Sequence, residues 1–155
     1  MYHISPMSRR YANEIAGWIY PAEYAAYSFQ KDSGTVNELL NGEYFVCVDA
    51  KEKLTGYFCF GSSAQIPTME SGVYGADRLD IGLGLKPELC GKGLGAAFMA
   101  SGMAYAREHL AAPGFRLTVA CFNKRAVTVY AKLGFSIAGE VTHQKSKTSF
   151  YLMIA

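Results

Sequence analysis

The stretch that decides the fold is Leu79 to Met99, LDIGLGLKPELCGKGLGAAFM. It opens as an apolar strand, Leu79 to Leu85, passes through the link KPEL, and ends in an uncharged helical pattern, with five glycines in the fourteen positions from Gly82 to Gly95. Each glycine costs conformational entropy, so this density at a strand-to-helix junction implies backbone that must approach something closely. Freed of side chains at Gly91, Gly93 and Gly95, successive N–H groups at the start of a helix form a cradle for phosphate, through direct hydrogen bonds and the helix dipole. A tight turn with close helix-to-sheet packing would use the same glycines, so the neighbouring residues must decide.

Two familiar phosphate cradles fail on those neighbours. A Walker loop needs Gly-Lys followed by Ser or Thr to hold magnesium, whereas Gly91-Lys92 is followed by Gly93. A dinucleotide fingerprint is formally matched by Gly91, Gly93 and Ala96, but it requires glycines close behind the strand and a carboxylate at the end of the next one. Here KPEL intervenes, and the next strand ends in Cys121, Phe122 and Asn123.

A third cradle fits. Residues 79–99 resemble the acetyl-CoA-binding motif of the GNAT superfamily of N-acetyltransferases, in which a strand, a loop ending in Arg or Gln-x-x-Gly-x-Gly or Ala, and a helix hold the CoA pyrophosphate. Downstream, VACFNKRAVTVYAKLGF, residues 119–135, resembles the superfamily's next motif: strand, Asn, helix, Tyr, then Gly-Phe. The resemblance implies a single-domain α/β fold over residues 1–155, with a mixed central sheet flanked by helices. It also implies transfer of an acetyl group from acetyl-CoA to a primary amine, by direct attack through a tetrahedral intermediate and without a metal. The alternative is a non-catalytic CoA-binding or sensing module, against which the presence of both Asn123 and Tyr130 counts. One position departs from the pattern: Cys90 stands where relatives carry Arg or Gln. At the opening of the helix, its thiol is expected to react readily.

Acyl transfer from a thioester needs a neutral nucleophile, donors for the developing oxyanion and a proton for the leaving thiolate. The resemblance assigns these residue by residue. Cys90, Gly91, Lys92, Gly93, Leu94, Gly95 and Ala96 form the pyrophosphate turn. Leu83 and Leu85 offer backbone groups beside the pantetheine arm, with an oxyanion donor near Leu83 and a bulge permitted by Gly82 and Gly84. Asn123 bonds the arm or caps the following helix. Tyr130 protonates the leaving sulfur, as a phenol of pKa about 10 can at neutral pH. Asp80 is a candidate base acting through water, with capping a turn or pairing with Arg78 as its plain alternatives. Trp18, Tyr20, Tyr24, Tyr27 and Phe29 fall where relatives build a wall of the acceptor pocket, though core packing is the commoner use of such aromatics. Glu23, Glu70 and Asp77 are candidates to attract a cationic amine. His3, His109 and His143 are scattered and are assigned packing or surface roles.

Composition is consistent with this reading. Half of the 155 residues are hydrophobic and 18% are charged, the balance of a globular domain. Fifteen Lys and Arg against thirteen Asp and Glu leave +2, too dispersed for a nucleic-acid footprint. The four cysteines, 47, 59, 90 and 121, form no CxxC pair, so neither zinc nor a disulfide framework is indicated. The longest uncharged apolar-rich run, Leu94 to Ala106, is too short for a bilayer, and the expected setting is cytoplasmic, with no membrane partner. The acceptor is a small molecule or a peptide or protein amine, and a homodimer is left open.

Along the chain, YHIS reads as a strand and Arg9 to Ile19 as a helix capped by Ser8. The run SGTVNELLNG looks helical and stops at Gly42. EYFVCVD and LTGYFCFGS form a hairpin, and residues 61–78 form a long loop. A strand at 79–85, a helix at 92–110, a strand at 115–122, a helix at 124–133 and a closing strand pair follow.

Overall fold

A computed structural model describes residues 2–21, 24, 29 and 32–155. Its described strands, with the residues that bound them, are β1 (His3–Pro6), β2 (Tyr44–Val48), β3 (Leu54–Phe60), β4 (Leu79–Leu85), β5 (Phe115–Ala120), β6 (Ser136–Thr142) and β7 (Ser149–Ile154). The α-helices are α1 (Arg9–Ala16), α2 (Ser33–Leu39), α3 (Gly95–His109) and α4 (Lys124–Lys132). The seven strands form one mixed sheet in the order β1-β2-β3-β4-β5-β7-β6. The expected α/β class and element order are what the structure has.

The chain divides into two compact units, Met1–Cys59 with Leu83–Leu94, and Phe60–Gly82 with Gly95–Ala155. In the first, β1, β2 and β3 pair antiparallel. Every residue of β3 is buried, Thr55 included, which explains why its sequence LTGYFCF shows no apolar and polar alternation: such a strand has no solvent face to alternate with. Helix α1 buries Ala12, Ile15 and Ala16, a spacing that puts one stripe of the helix on the core. It ends at Ala16, short of the expected Ile19, with the Gly17 N–H bonded to the Glu14 carbonyl and the Trp18 N–H to that of Ile15. Ser8 occupies the N-cap position without a side-chain cap bond.

Tyr57 lies at the centre of this unit's aromatic core. Its ring is met by those of Trp18, Phe29 and Tyr44, with centroids 6.2, 5.8 and 6.0 Å away. Gly84 of β4 runs directly beneath that ring, and an added Cβ would overlap the Tyr57 Cε1 and Cζ atoms. Gly84 is therefore required for close packing. With the ring boxed in, Gly84→Ala is expected to destabilise by at least the ~1–3 kcal/mol typical of overpacking, read as a lowered urea midpoint with unchanged slope.

In the second unit, β4 and β5 run parallel, with Leu79 opposite Phe115 and Asp80 opposite Arg116. β5 and β6 each pair antiparallel with β7. Helix α3 buries Phe98, Met99, Gly102, Met103 and Ala106, an i, i+1, i+4, i+5, i+8 stripe that packs one face inward. At its first residue, Gly95, a Cβ would lie 3.6 Å from the Val129 methyls of α4, so the two helices approach closely there. Among the described residues no helix is long and apolar enough to cross a membrane.

Candidate active site

The turn between β4 and α3 starts with a 3₁₀ segment, Pro87–Leu89, and then passes through two left-handed glycines, Gly91 at φ 74° and Gly93 at φ 76°. L-residues rarely adopt this conformation. It also explains why α3 starts at Gly95 instead of the expected residue 92: neither glycine has a right-handed helical backbone. A Cβ built on Gly93 meets nothing within 4 Å. The backbone there faces open space, as a turn that admits a ligand would. Gly91, Lys92 and Gly93 are exposed, and Leu94, Gly95 and Ala96 half-buried.

Cys90 corrects one expectation. It lies five residues before α3, and its Sγ sits 3.7 Å from the carbonyl oxygens of Leu85 and Lys86. The thiol therefore faces acceptors instead of the N–H donors expected at a helix opening. These contacts turn the thiol back toward the end of β4.

Leu83 and Leu85 are half-buried on β4. The Leu85 carbonyl accepts a hydrogen bond from Tyr20 Oη at 2.7 Å, so that backbone oxygen already has a partner within the chain. Tyr20 and Trp18 are buried members of the core, and Phe29 packs on Tyr57, which is the packing alternative foreseen for these aromatics. Tyr27 and Glu23 lie outside the described residues.

At the start of α4, Asn123 takes the N-cap position, its Oδ1 accepting from the Ala126 N–H at 3.2 Å. The other end of α4 places Tyr130. The Phe135 N–H bonds the Tyr130 carbonyl at 3.1 Å and the Gly134 N–H bonds that of Ala131 at 3.1 Å, with Gly134 at φ 96°. This is a Schellman ending, in which the residue after the glycine packs on the residue five before it. Accordingly the Phe135 ring meets Tyr130 edge-on at 6.1 Å. The Tyr-x₃-Gly-Phe spacing is thus a helix stop that fixes the base of a half-buried phenol.

The base assignment does not survive the geometry. Asp80 is 3% exposed, and its Oδ1 and Oδ2 accept from Arg116 Nε and Nη2, both at 2.6 Å. Gln65 Nε2 adds a third bond at 2.9 Å. A carboxylate bound bidentately to a guanidinium and capped by an amide has no oxygen poised for a substrate water. The pairing alternative is corrected too: Arg78 pairs with Asp77 at 3.0 Å, not with Asp80. Arg116 also donates to the Gly75 carbonyl at 2.9 Å and lies over the Tyr74 ring, 5.2 Å from its centroid. Tyr74 Oη in turn bonds Thr118 Oγ1 at 2.7 Å and receives the Ile66 N–H at 3.2 Å. The hydrogen bond to Asp80, outweighing burial, pushes the Arg116 pKa further above its already high range. This network, which secures the 61–78 loop, was missed from sequence. Its signal was there: one charge in each of two apolar strands, Asp80 in LDIGLGL and Arg116 in FRLTVA.

The remaining candidates lie in other settings. Glu70 Oε1 accepts from the Thr142 N–H at 2.9 Å, a bond that lowers its pKa. The His143 Nδ1 accepts from the Lys145 N–H at 3.1 Å, and His109 stacks on Tyr105 at 4.4 Å. His3 lies in β1. Among the described residues no three His, Cys, Asp or Glu gather as a metal group.

The family model for acetyltransferases of the GNAT family matches residues 9–135. The chain belongs to that family. Solved structures with the same fold include a mutant form of the spermidine/spermine N-acetyltransferase SpeG from Vibrio cholerae, at 17% identity and TM-score 0.70, covering 100% of this chain and 94% of that one. The same enzyme in complex with manganese ions aligns at 17% identity and TM-score 0.69, covering 99% and 91%. A GNAT-family acetyltransferase from Bacillus anthracis aligns at 13% identity and TM-score 0.70, covering 99% and 93%. At these identities the likeness is one of fold. No curated protein matches the sequence significantly.

Proposed function

We propose that this GNAT-family chain is a cytoplasmic, acetyl-CoA-dependent N-acetyltransferase, a single domain over residues 1–155, which acetylates a primary amine by direct attack. The observation that carries the reading is the Gly91–Gly93 turn, left-handed at both glycines and open where a Gly93 side chain would stand. Such a turn leaves backbone N–H groups uncovered for a pyrophosphate. Acetyl-CoA supplies the activated acetyl group as a thioester. The backbone of Cys90 to Ala96 holds its pyrophosphate, Leu83 and Leu85 offer backbone groups to the pantetheine arm, and a backbone N–H near Leu83 faces the developing oxyanion. Asn123 orients the arm while capping α4, and Tyr130 delivers a proton to the departing sulfur. With Asp80 locked to Arg116, the amine arrives neutral or loses its proton to water. The solved neighbours that act on spermidine and spermine make polyamines the first acceptors to try, ahead of amino acids and peptide amines.

The test is a screen of amines, polyamines included, that follows free thiol release from acetyl-CoA. CoA should also raise the melting temperature, since a ligand at a hundredfold its Kd stabilises by about 2.7 kcal/mol, while NAD and ATP should not. Gly93→Val should abolish the CoA shift, by placing a branched residue at φ 76° and a side chain in the open turn, with the circular dichroism spectrum retained. Equal shifts from all three nucleotides, or none from CoA, would remove the cofactor assignment.

A further inference from the structure

The peptide group joining Leu85 to Lys86 is held at both of its polar atoms. Its carbonyl accepts from Tyr20 Oη at 2.7 Å, across 65 residues of sequence, and is approached by the Cys90 thiol at 3.7 Å. Its N–H donates to the Thr55 carbonyl of β3 at 2.8 Å. The thiol also reaches the Lys86 carbonyl at 3.7 Å, and the Leu89 and Cys90 N–H groups close the link onto the carbonyls of Lys86 and Pro87, at 2.8 and 3.2 Å. Tyr20 is 8% exposed. Its burial first, and the neighbouring Cys90 second, push its phenol well above the ordinary range, so it remains a donor at every pH the protein meets.

A peptide group is planar. Fixing both its polar atoms therefore fixes the direction in which the chain leaves the strand. Here the departing chain is the link Pro87–Leu89, followed by Cys90 and the left-handed Gly91 and Gly93. Left-handed glycines tolerate many backbone angles, so they do not hold a turn in one shape by themselves. Something rigid must aim it. We propose that Tyr20 is a positioning residue for the cofactor turn: its hydroxyl clamps the end of β4 and so aims the Gly91–Gly93 cradle, with the Cys90 thiol securing the far end of the link. The inference rests on the acetyl-CoA reading above and adds to it a residue that touches no part of the cofactor. It also gives Cys90 a role that fits its departure from the family pattern. A short S–H donor folded inward onto two carbonyls holds the link from within.

The experiment is isothermal titration of CoA into the native protein and into Tyr20→Phe, Cys90→Ala and Cys90→Ser, well below every variant's melting temperature. Phe keeps the buried ring and loses only the donor. Tyr20→Phe is expected to weaken CoA by about fivefold or more, the size of one buried neutral hydrogen bond. Cys90→Ala weakens it less, and Cys90→Ser, with a hydroxyl donor in place of the thiol, recovers part of that loss. A purely structural role for Tyr20 would lower the melting temperature and leave the CoA Kd of the folded protein where it was, and that result overturns the proposal. If Tyr20→Phe does not fold, the Cys90 pair decides: equal CoA affinities for native, Ala and Ser remove the clamp. Native protein that binds no CoA overturns the acetyl-CoA reading and this inference with it, whereas native binding that no variant alters overturns the inference alone.

Discussion

Replacing Asp80 by Ala is expected to cost about 3–5 kcal/mol of folding stability, the range for removing one partner of a buried ion pair. The size follows from what is left behind. Arg116 is 5% exposed, and without Asp80 its guanidinium keeps the Gly75 carbonyl and the more distant, exposed Asp77, 3.8 Å away. A buried cation so poorly matched carries most of its desolvation cost uncompensated. Gln65 loses its acceptor as well. Urea unfolding measures the loss, and a cost under about 1 kcal/mol would mean that the pair behaves as a surface pair does. The paired substitution sharpens the test. Asp80→Leu with Arg116→Met removes both charges, and because a well-packed apolar pair can replace a buried ion pair with little loss, the double variant should be more stable than Asp80→Ala. Asp80→Asn, studied where it is folded, should keep the low-pH limb of the rate profile. Losing that limb while remaining folded would restore Asp80 as a base.

The pairing of Asp80 with Arg116 marks the boundary of what could be read from sequence. The order of elements was legible because the strands carry short apolar runs, and because the helices announce themselves by glycine and capping residues: Asn123 before α4, Gly134 after it. The glycine turn was legible as a turn. Its length was not, since the uncharged run from Leu94 suggests a helix from residue 92, and only the left-handed backbone of Gly91 and Gly93 delays it to Gly95. What the sequence does not show depends on contacts between segments far apart in the chain. Asp80 and Arg116 meet through a parallel register, Tyr20 reaches Leu85 across 65 residues, and Gly84 owes its identity to the Tyr57 ring on a neighbouring strand. Periodicity and spacing report a residue's own segment. They do not report which side chain another strand will bring against it.

Tyr130→Phe is expected to lower kcat by about 10²-fold, the lower end of what a general acid contributes, while acetyl-CoA binding changes little. The helix ending explains why the two effects should separate. Tyr130 is held by its own carbonyl, bonded to the Phe135 N–H, and by the edge of its ring on Phe135, and phenylalanine preserves both. Only the phenol O–H is removed, and with it the proton that the reading sends to the departing sulfur. The measurement must be made where chemistry limits the rate, by single-turnover acetyl transfer to an amine from the screen, because slow product release would hide the change. Leaving-group basicity provides the control. An acetyl donor whose thiol leaves readily as the anion needs no proton from the enzyme, so the native protein and Tyr130→Phe should converge on it. A turnover number unchanged with acetyl-CoA would return Tyr130 to the role that its helix stop already gives it, that of an aromatic anchor for the end of α4.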